Sequence, residues 1–236
     1  MATSRNHAQL ALELPIKNGH GGRRAGAGRK PGPRPLGRVR RRAYLERTTP
    51  VHVTMRTVDG LSSLRRRDGY RAMRWALCTA LKRADFRVCH LSIQGDHVHL
   101  IAEAASATAL ARGMQGLQIA AAKRLNRMRG RKGQVFRTRY HAVQMRHPRQ
   151  VRSGLAYVLN NWRRHRVDRV LGAQRGGVAI DPYSSGAAFE GWKAPRFTRL
   201  RPDEEILPVS FATTWLLDVG WRRHGRIDRG EVPGSR

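Results

Sequence analysis

The chain has 236 residues, and its 47 lysines and arginines against 16 acidic residues give a formal net charge of +31. So large an excess repels itself unless an anionic partner screens it, and nucleic acid is the usual partner. A basic protein at a membrane surface is the competing class, but no stretch approaches the ~18 apolar residues needed to span a bilayer. The length predicts one domain of ~150 residues with extensions.

Neither the cysteines nor the N-terminus indicates a secreted protein. Cys78 and Cys89 stand 11 positions apart without a CxxC pair, which predicts neither a zinc ribbon nor a disulfide framework. They are typical of buried thiols in a reducing cytoplasm. The first twenty residues lack the charged-then-apolar order of a secretory signal, so we expect a cytoplasmic protein.

The segment 1–47 is rich in Gly, Pro and Arg, a composition that cannot bury enough apolar surface to offset chain entropy. It is predicted to be a flexible basic arm. Within it, Arg29, Lys30 and Arg34 lie in the sequence RKPGPRP, which is similar to the AT-hook, an extended segment that lies in the minor groove. A generic polybasic tail is the alternative, and either would contact DNA.

Order is predicted to begin near residue 49. Alternating apolar and polar residues predict a strand over 51–58, and the spacing of apolar residues predicts a helix over 61–84. Two further strands, 86–94 and 97–104, are separated by a Gly-Asp turn and are expected to form an antiparallel hairpin.

A long helix is predicted over 106–129, a fourth strand over 134–145, and another helix from Pro148 to about residue 170. The order β-α-β-β-α-β-α predicts an α+β domain of the ferredoxin-like, split β-α-β type, with a four-stranded antiparallel sheet and an added C-terminal helix. We expect this domain to span residues 48–171. Residues 172–236 are expected to form a C-terminal extension packed on it.

The sequence His97-Val98-His99 lies at the start of the third predicted strand. Residues i and i+2 of a strand point to the same face, so the two imidazoles project side by side. Neutral imidazoles suit divalent metals. From this triplet alone, a structural pair of histidines and a metal site both remain open.

Tyr157 and Asn161 are four residues apart on the last predicted helix and therefore share one face. A phenol beside a divalent ion is more easily deprotonated and can attack phosphorus, which gives a covalent tyrosyl phosphate. The amide oxygen of Asn161 could bind the same ion. A half-buried structural tyrosine is the alternative for Tyr157 alone.

Together these motifs resemble the single-tyrosine transposases with a His-hydrophobic-His motif, and within them the REP-associated tyrosine transposases of bacteria. The resemblance covers about residues 49–170. It rests on three segments of the sequence, which are Asp96-His97-Val98-His99-Leu100-Ile101, Val135-Phe136-Arg137-Thr138-Arg139-Tyr140 and Tyr157-Val158-Leu159-Asn160-Asn161. Where many relatives have Asn-Pro, this chain has Asn161-Trp162.

The resemblance implies an enzyme that cuts single-stranded DNA beside hairpins or palindromic repeats with Mg²⁺ or Mn²⁺. Tyr157 would be the nucleophile that forms a 5′-phosphotyrosine link and releases a 3′-hydroxyl. His97 and His99 would bind the metal, and Asn161 matches the third, helix-borne ligand. Relatives act as monomers or as dimers, so a homodimer is possible, and a bacterial protein of this kind is expected at the nucleoid.

Basic residues near the motifs are predicted to contact the DNA backbone. From Lys123 to Arg139 there are eight lysines and arginines and no acidic residue. The predicted contacts are Lys123, Arg124, Arg127, Arg131, Lys132, Arg137, Arg139, Arg163 and Arg164.

Two other functions stay open, a non-catalytic (domesticated) protein that binds DNA or RNA hairpins, and a metal-dependent nuclease that uses activated water. Tyr140 is a rival nucleophile but is expected to be a packing residue, since strand alternation places it opposite Arg137 and Arg139. His141 and His165 are expected to be solvated or structural.

Overall fold

The computed structural model describes residues 45–47, 49–137, 139–167, 180–193 and 206–234, all of which belong to one compact unit. The predicted arm contacts Arg29, Lys30 and Arg34 lie outside these ranges. No helix within them is both long and apolar enough to cross a bilayer.

The sheet has four strands, β1 (Val51–Arg56), β2 (Phe86–Ile93), β3 (His97–Ala104) and β4 (His141–Gln144), and the helices are α1 (Arg67–Ala80), α2 (Ala107–Met128) and α3 (Pro148–Arg164). The strands lie in the order β2-β3-β1-β4 and every neighbouring pair is antiparallel. This is the order of the split β-α-β arrangement. The predicted fold class is therefore confirmed.

Strand alternation divides the sheet into two chemically different faces. Val53 and Met55 of β1, with Val98 and Leu100 of β3, are fully buried in the larger core, to which α1 and α2 contribute their apolar sides. The intervening residues of the same two strands point to the opposite face. On that face the histidines of β3 lie, and α3 packs over it.

A second apolar cluster fixes α3 on this face. Val151, Leu155, Val158 and Leu159 of the helix are buried there together with Ile101 of β3. The cluster also contains residues of the C-terminal extension, namely Ile180, Phe189, Trp192, Leu217, Trp221 and Ile227. The extension thus shares one core with α3.

The extension is tied to the sheet by two buried carboxylates. Asp181 accepts hydrogen bonds from the two terminal guanidinium nitrogens of Arg65, at 2.8 and 2.9 Å. Glu103, at the end of β3, accepts hydrogen bonds from the backbone nitrogens and hydroxyls of Thr213 and Thr214. These threonines precede a short helix, α4 (Trp215–Asp218).

Three predicted bounds are wrong at their ends. The helix predicted over 61–84 begins only at Arg67, because the backbone nitrogen of Leu64 bonds to the carbonyl of Gly95 instead. The strand predicted over 134–145 is regular only in β4, and Phe136 forms an isolated bridge with Thr57. The last helix ends at Arg164 rather than near residue 170, and Arg166 has a left-handed φ of 57°.

Acid should destabilise the fold through His90 of β2. Its ring lies edge-on to Phe189, with centroids 5.3 Å apart, and burial lowers its pKa from 6.5 to about 4. Between these values the unfolded chain holds a proton that the folded chain excludes, so stability falls as the pH falls from 6.5 to 4. We expect the free energy of unfolding of the wild type to change with pH up to about 1.4 kcal/mol per pH unit more steeply than that of His90→Gln.

Urea unfolding at a series of pH values, with chelator present, measures this difference. Equal pH slopes for the two proteins would contradict it.

Candidate active site

The two histidines of β3 are buried side by side, as the strand period predicts. The ring centroids of His97 and His99 are 4.7 Å apart. The Nδ1 atom of His97 lies 2.6 Å from Oδ1 of Asp96, and Nδ1 of His99 lies 3.0 Å from Oγ1 of Thr54. A hydrogen-bond partner on Nδ1 fixes the orientation of an imidazole ring and leaves its second nitrogen, Nε2, available to bind a ligand.

Helix α3 brings Tyr157 and Asn161 over the same face of the sheet. The Tyr157 ring is half-buried and lies edge-on to His99, with centroids 5.0 Å apart. Asn161 is fully buried one turn further along. His165 follows the helix at the same spacing, and its ring centroid is 5.7 Å from that of His97.

His52 of β1 also belongs to this cluster, although it was not predicted from the sequence. Its Nε2 atom lies 3.3 Å from Nδ1 of His99, and its ring centroid is 5.6 Å from that of Tyr157. In the register of β1 and β3, Thr54 is opposite His99, so His52 is on the same face. In the predicted split β-α-β fold β1 and β3 are neighbours, so this fold contained the information needed to place His52 beside His99.

Burial keeps the inner histidines neutral. It lowers the pKa of His99 to about 3, with smaller contributions from His97 and His52, and that of His52 to about 4. Burial, followed by His97, also lowers the pKa of His165. The hydrogen bond from His97 lowers the pKa of Asp96. Neutral imidazole is the form that binds metals.

Buried polar atoms without partners mark the space between β3 and α3. Nε2 of His99 and both amide atoms of Asn161 are buried and make no hydrogen bond. Such atoms are rare in native proteins and call for an explanation. Imidazole nitrogen and amide oxygen are both metal ligands, so the residues present fit a divalent ion. Among the residues that the structure describes, no group of three or more His, Cys, Asp or Glu could hold a metal.

Two arginines border this cluster. The guanidinium of Arg164 lies 5.9 Å from the centre of the Tyr157 ring. Arg56, at the end of β1, lies 3.4 Å from Asp96 and is largely exposed. Arg56 is opposite His97 in the strand register and so lies on the histidine face, a position that was not predicted from the sequence.

The other predicted DNA contacts are dispersed. The basic end of α2, with Lys123, Arg124 and Arg127, belongs to the helix layer on the opposite face of the sheet. Lys132 and Arg139 are exposed in the irregular stretch before β4. The three residues of α2 therefore lie on the side of the sheet away from Tyr157.

Three predicted contacts have partners within the protein. Arg131 donates to Asn126 and to the carbonyl of Gln134, Arg137 pairs with Asp59 at 2.6 Å, and Arg163 donates to the carbonyl of Arg229. These bonds hold loops and the extension in place.

The secondary candidates lie on different sides of the sheet. Tyr140 packs against the core beneath α1 and α2, away from the histidine face. His141 is exposed on β4 opposite Thr54, so it lies on the histidine face, at its edge. Both His141 and His165 are exposed, yet they border the cluster.

Comparison with known proteins shows which family this part of the chain resembles. Residues 50–161, just under half of the chain, match the family model of the IS200-like transposases. The match begins before β1 and ends at Asn161, so it includes the whole sheet together with His97, His99 and Tyr157. Over these residues the chain is similar to the IS200-like transposases, which confirms the resemblance inferred from the motifs.

A solved structure of a REP-associated tyrosine transposase bound to a REP hairpin is also similar to the chain. Its sequence identity is 17% and its TM-score is 0.44, over 53% of this chain and 72% of that chain. No curated protein gave a match.

The two adjacent asparagines of α3 should respond oppositely to substitution by leucine. In metal-free buffer, Asn161→Leu should leave the free energy of unfolding unchanged or raise it by about 1 kcal/mol, because it removes a buried amide without partners. The matched control is Asn160→Leu, which loses the 2.9 Å bond from Nδ2 to the carbonyl of Asp228. That change should lower the free energy by roughly 1–3 kcal/mol.

Urea unfolding with chelator measures both values. A loss of stability in Asn161→Leu as large as that in Asn160→Leu would show that the Asn161 amide has an internal partner.

Proposed function

We propose that the protein is a metal-dependent, single-tyrosine DNA endonuclease and strand transferase of the REP-associated type. Its substrate would be single-stranded DNA with hairpins or palindromic repeats. The observation that carries the proposal is the position of Tyr157, whose ring centroid is 5.0 Å from that of His99. Beside it lie the unpartnered Nε2 of His99 and the unpartnered amide of Asn161.

His97, His99 and Asn161 would hold the divalent ion. When bound, the ion would polarise a phosphoryl oxygen and balance the negative charge that develops on the phosphate. Mg²⁺ prefers oxygen ligands and keeps several waters, whereas Mn²⁺ accepts imidazole more readily. A set of two imidazoles and one amide therefore favours Mn²⁺.

The covalent step uses the phenol of Tyr157. Its oxygen loses a proton and forms a bond to phosphorus, while the bond from phosphorus to the 3′ oxygen breaks. The 3′ oxygen takes up a proton and leaves as a hydroxyl, and the 5′ side stays on the protein as a phosphotyrosine. Attack by a 3′-hydroxyl on this link reverses the step and joins strands. Arg164 and Arg56 would hold the phosphate oxygens.

Tyr157, His99 and Asn161 of one chain lie together, so we propose that a single chain supplies the whole site; a homodimer stays a prediction. With a net charge of +31, the protein is expected to bind DNA strongly and with a steep salt dependence. We propose that it acts in the cytoplasm, on the nucleoid.

The test uses the full-length protein, Mn²⁺ and an end-labelled single strand from the inverted repeats that flank its gene. We expect a protein–DNA adduct that survives denaturing electrophoresis and is lost in Tyr157→Phe or with chelator. Tyr140→Phe is the matched control and should retain the adduct, because Tyr140 packs on the other side of the sheet.

Other outcomes separate the rival functions. Cleavage that persists in Tyr157→Phe without an adduct would indicate activated water as the nucleophile. Tight hairpin binding with no cleavage by the wild-type protein would indicate a non-catalytic binder.

A further inference from the structure

An exposed aromatic surface lies on the C-terminal extension, beyond the part of the chain that matches the family. We define the Phe211–Trp215 surface by Phe211, Trp215 and Arg223. The Phe211 side chain is 93% exposed and that of Trp215 is 50% exposed. The guanidinium of Arg223 lies 4.8 Å from the centre of the Trp215 ring. Two large aromatic side chains exposed four positions apart favour an interaction site.

This surface is held in a fixed position. Four donor atoms of Thr213 and Thr214 form hydrogen bonds to the Glu103 carboxylate and hold these two residues, which stand between the two aromatic residues. Leu217 of α4 is buried in the core shared with α3. The Trp215 ring packs against Gly220, where an added Cβ would lie 2.7 Å from the ring. The aromatic rings are thus presented on a rigid support, which lowers the entropy cost of binding.

The surface lies on the same side of the sheet as Tyr157. From Thr214 the extension runs back along α3, where the carbonyl of Asp228 accepts from Asn160 and that of Arg229 accepts from Arg163. Glu103 and His97 stand at opposite ends of the stretch 97–103 of β3, roughly 20 Å apart at about 3.3 Å per residue. A stacked strand of roughly six nucleotides, at about 3.4 Å each, covers that length.

The charge around this surface favours an anionic partner, because three arginines within residues 222–226 outnumber the exposed carboxylate of α4, Asp218. Arg222, Arg223 and Arg226 are exposed, and within the described part of the chain none of them forms an ion pair with a carboxylate. Aromatic side chains that stack on bases, next to arginines that contact phosphates, are the usual means of binding single strands without sequence preference. We infer that the Phe211–Trp215 surface binds the bases of single-stranded DNA that leads to the site at Tyr157. The inference rests on the proposed function in taking DNA as the substrate.

The chain offers a matched control for this inference. Trp75 of α1 is 55% exposed, and the guanidinium of Arg124 lies 5.2 Å from its ring centre. This pair is equivalent in chemistry and exposure, but it lies on the opposite side of the sheet from Tyr157. It also lacks an exposed phenylalanine beside it among the described residues.

The experiment measures the binding of a labelled deoxythymidine oligomer of about 15 nucleotides to the full-length protein by fluorescence anisotropy, with chelator present so that nothing is cut. We expect Phe211→Ala with Trp215→Ala to raise Kd roughly tenfold or more, since each base stack contributes about 1–3 kcal/mol. The single variant Trp215→Phe should retain most of the wild-type affinity, because phenylalanine can still stack on a base. Trp75→Ala should change the affinity little. An abasic oligomer of the same length should bind the double variant and the wild type equally.

A salt titration adds a second readout. Arg223→Gln should lower the slope of log K against log salt by about 0.7, the value for one phosphate of a single strand.

Several results would overturn the inference. These are an unchanged Kd in the double variant, an equal loss in Trp75→Ala, and an equal loss for the abasic oligomer. A double variant that instead shifts a dimer to monomer in sedimentation would assign the surface to contact between copies of the chain. Because binding is measured without cleavage, the absence of a Tyr157 adduct would refute the proposed function and leave this result standing.

Discussion

The packing of α3 across the histidine face of the sheet is the interaction on which the rest of the site depends. Val151, Leu155 and Val158 bury one side of the helix against Ile101 of β3. With that side fixed, the helical period places Tyr157 and Asn161 over His99. The extension covers α3 from outside and is bonded to it through Asn160. The helix is therefore held from two directions.

This packing has an energetic cost that a purely structural interface would avoid. It buries Nε2 of His99 and the amide of Asn161 without hydrogen-bond partners, and such groups cost about 1–3 kcal/mol each. Burial also holds the pKa of His99 near 3, so the ring stays neutral over the whole physiological range. Unpaired, neutral ligand atoms of this kind are those that a bound divalent ion would satisfy. The proposed metal site would therefore be preorganised before the ion binds.

The sequence predicted the parts of this site that depend on local periodicity. Alternation along β3 placed His97 and His99 together, and the helical period placed Tyr157 near Asn161. It did not find His52, because that residue joins the cluster only through the pairing of β1 with β3. The charge run at the end of α2 predicts contact with the DNA backbone, but a sequence does not show which way its charges face, and the helix lies on the opposite side of the sheet from Tyr157. The irregular stretch before β4 follows tertiary contacts such as that of Thr57 with Phe136, which no local pattern encodes.

We propose that a divalent ion binds between β3 and α3, next to Tyr157. Pulsed EPR of the Mn²⁺-loaded protein tests it directly, since imidazole nitrogens bound to manganese give resolved couplings. We expect manganese couplings to two histidine nitrogens in the wild type, to one in His99→Gln and to two in His52→Gln. His52 should not matter because it is not a ligand in the proposed metal site. Manganese bound without any histidine nitrogen, or couplings unchanged in His99→Gln, would contradict it.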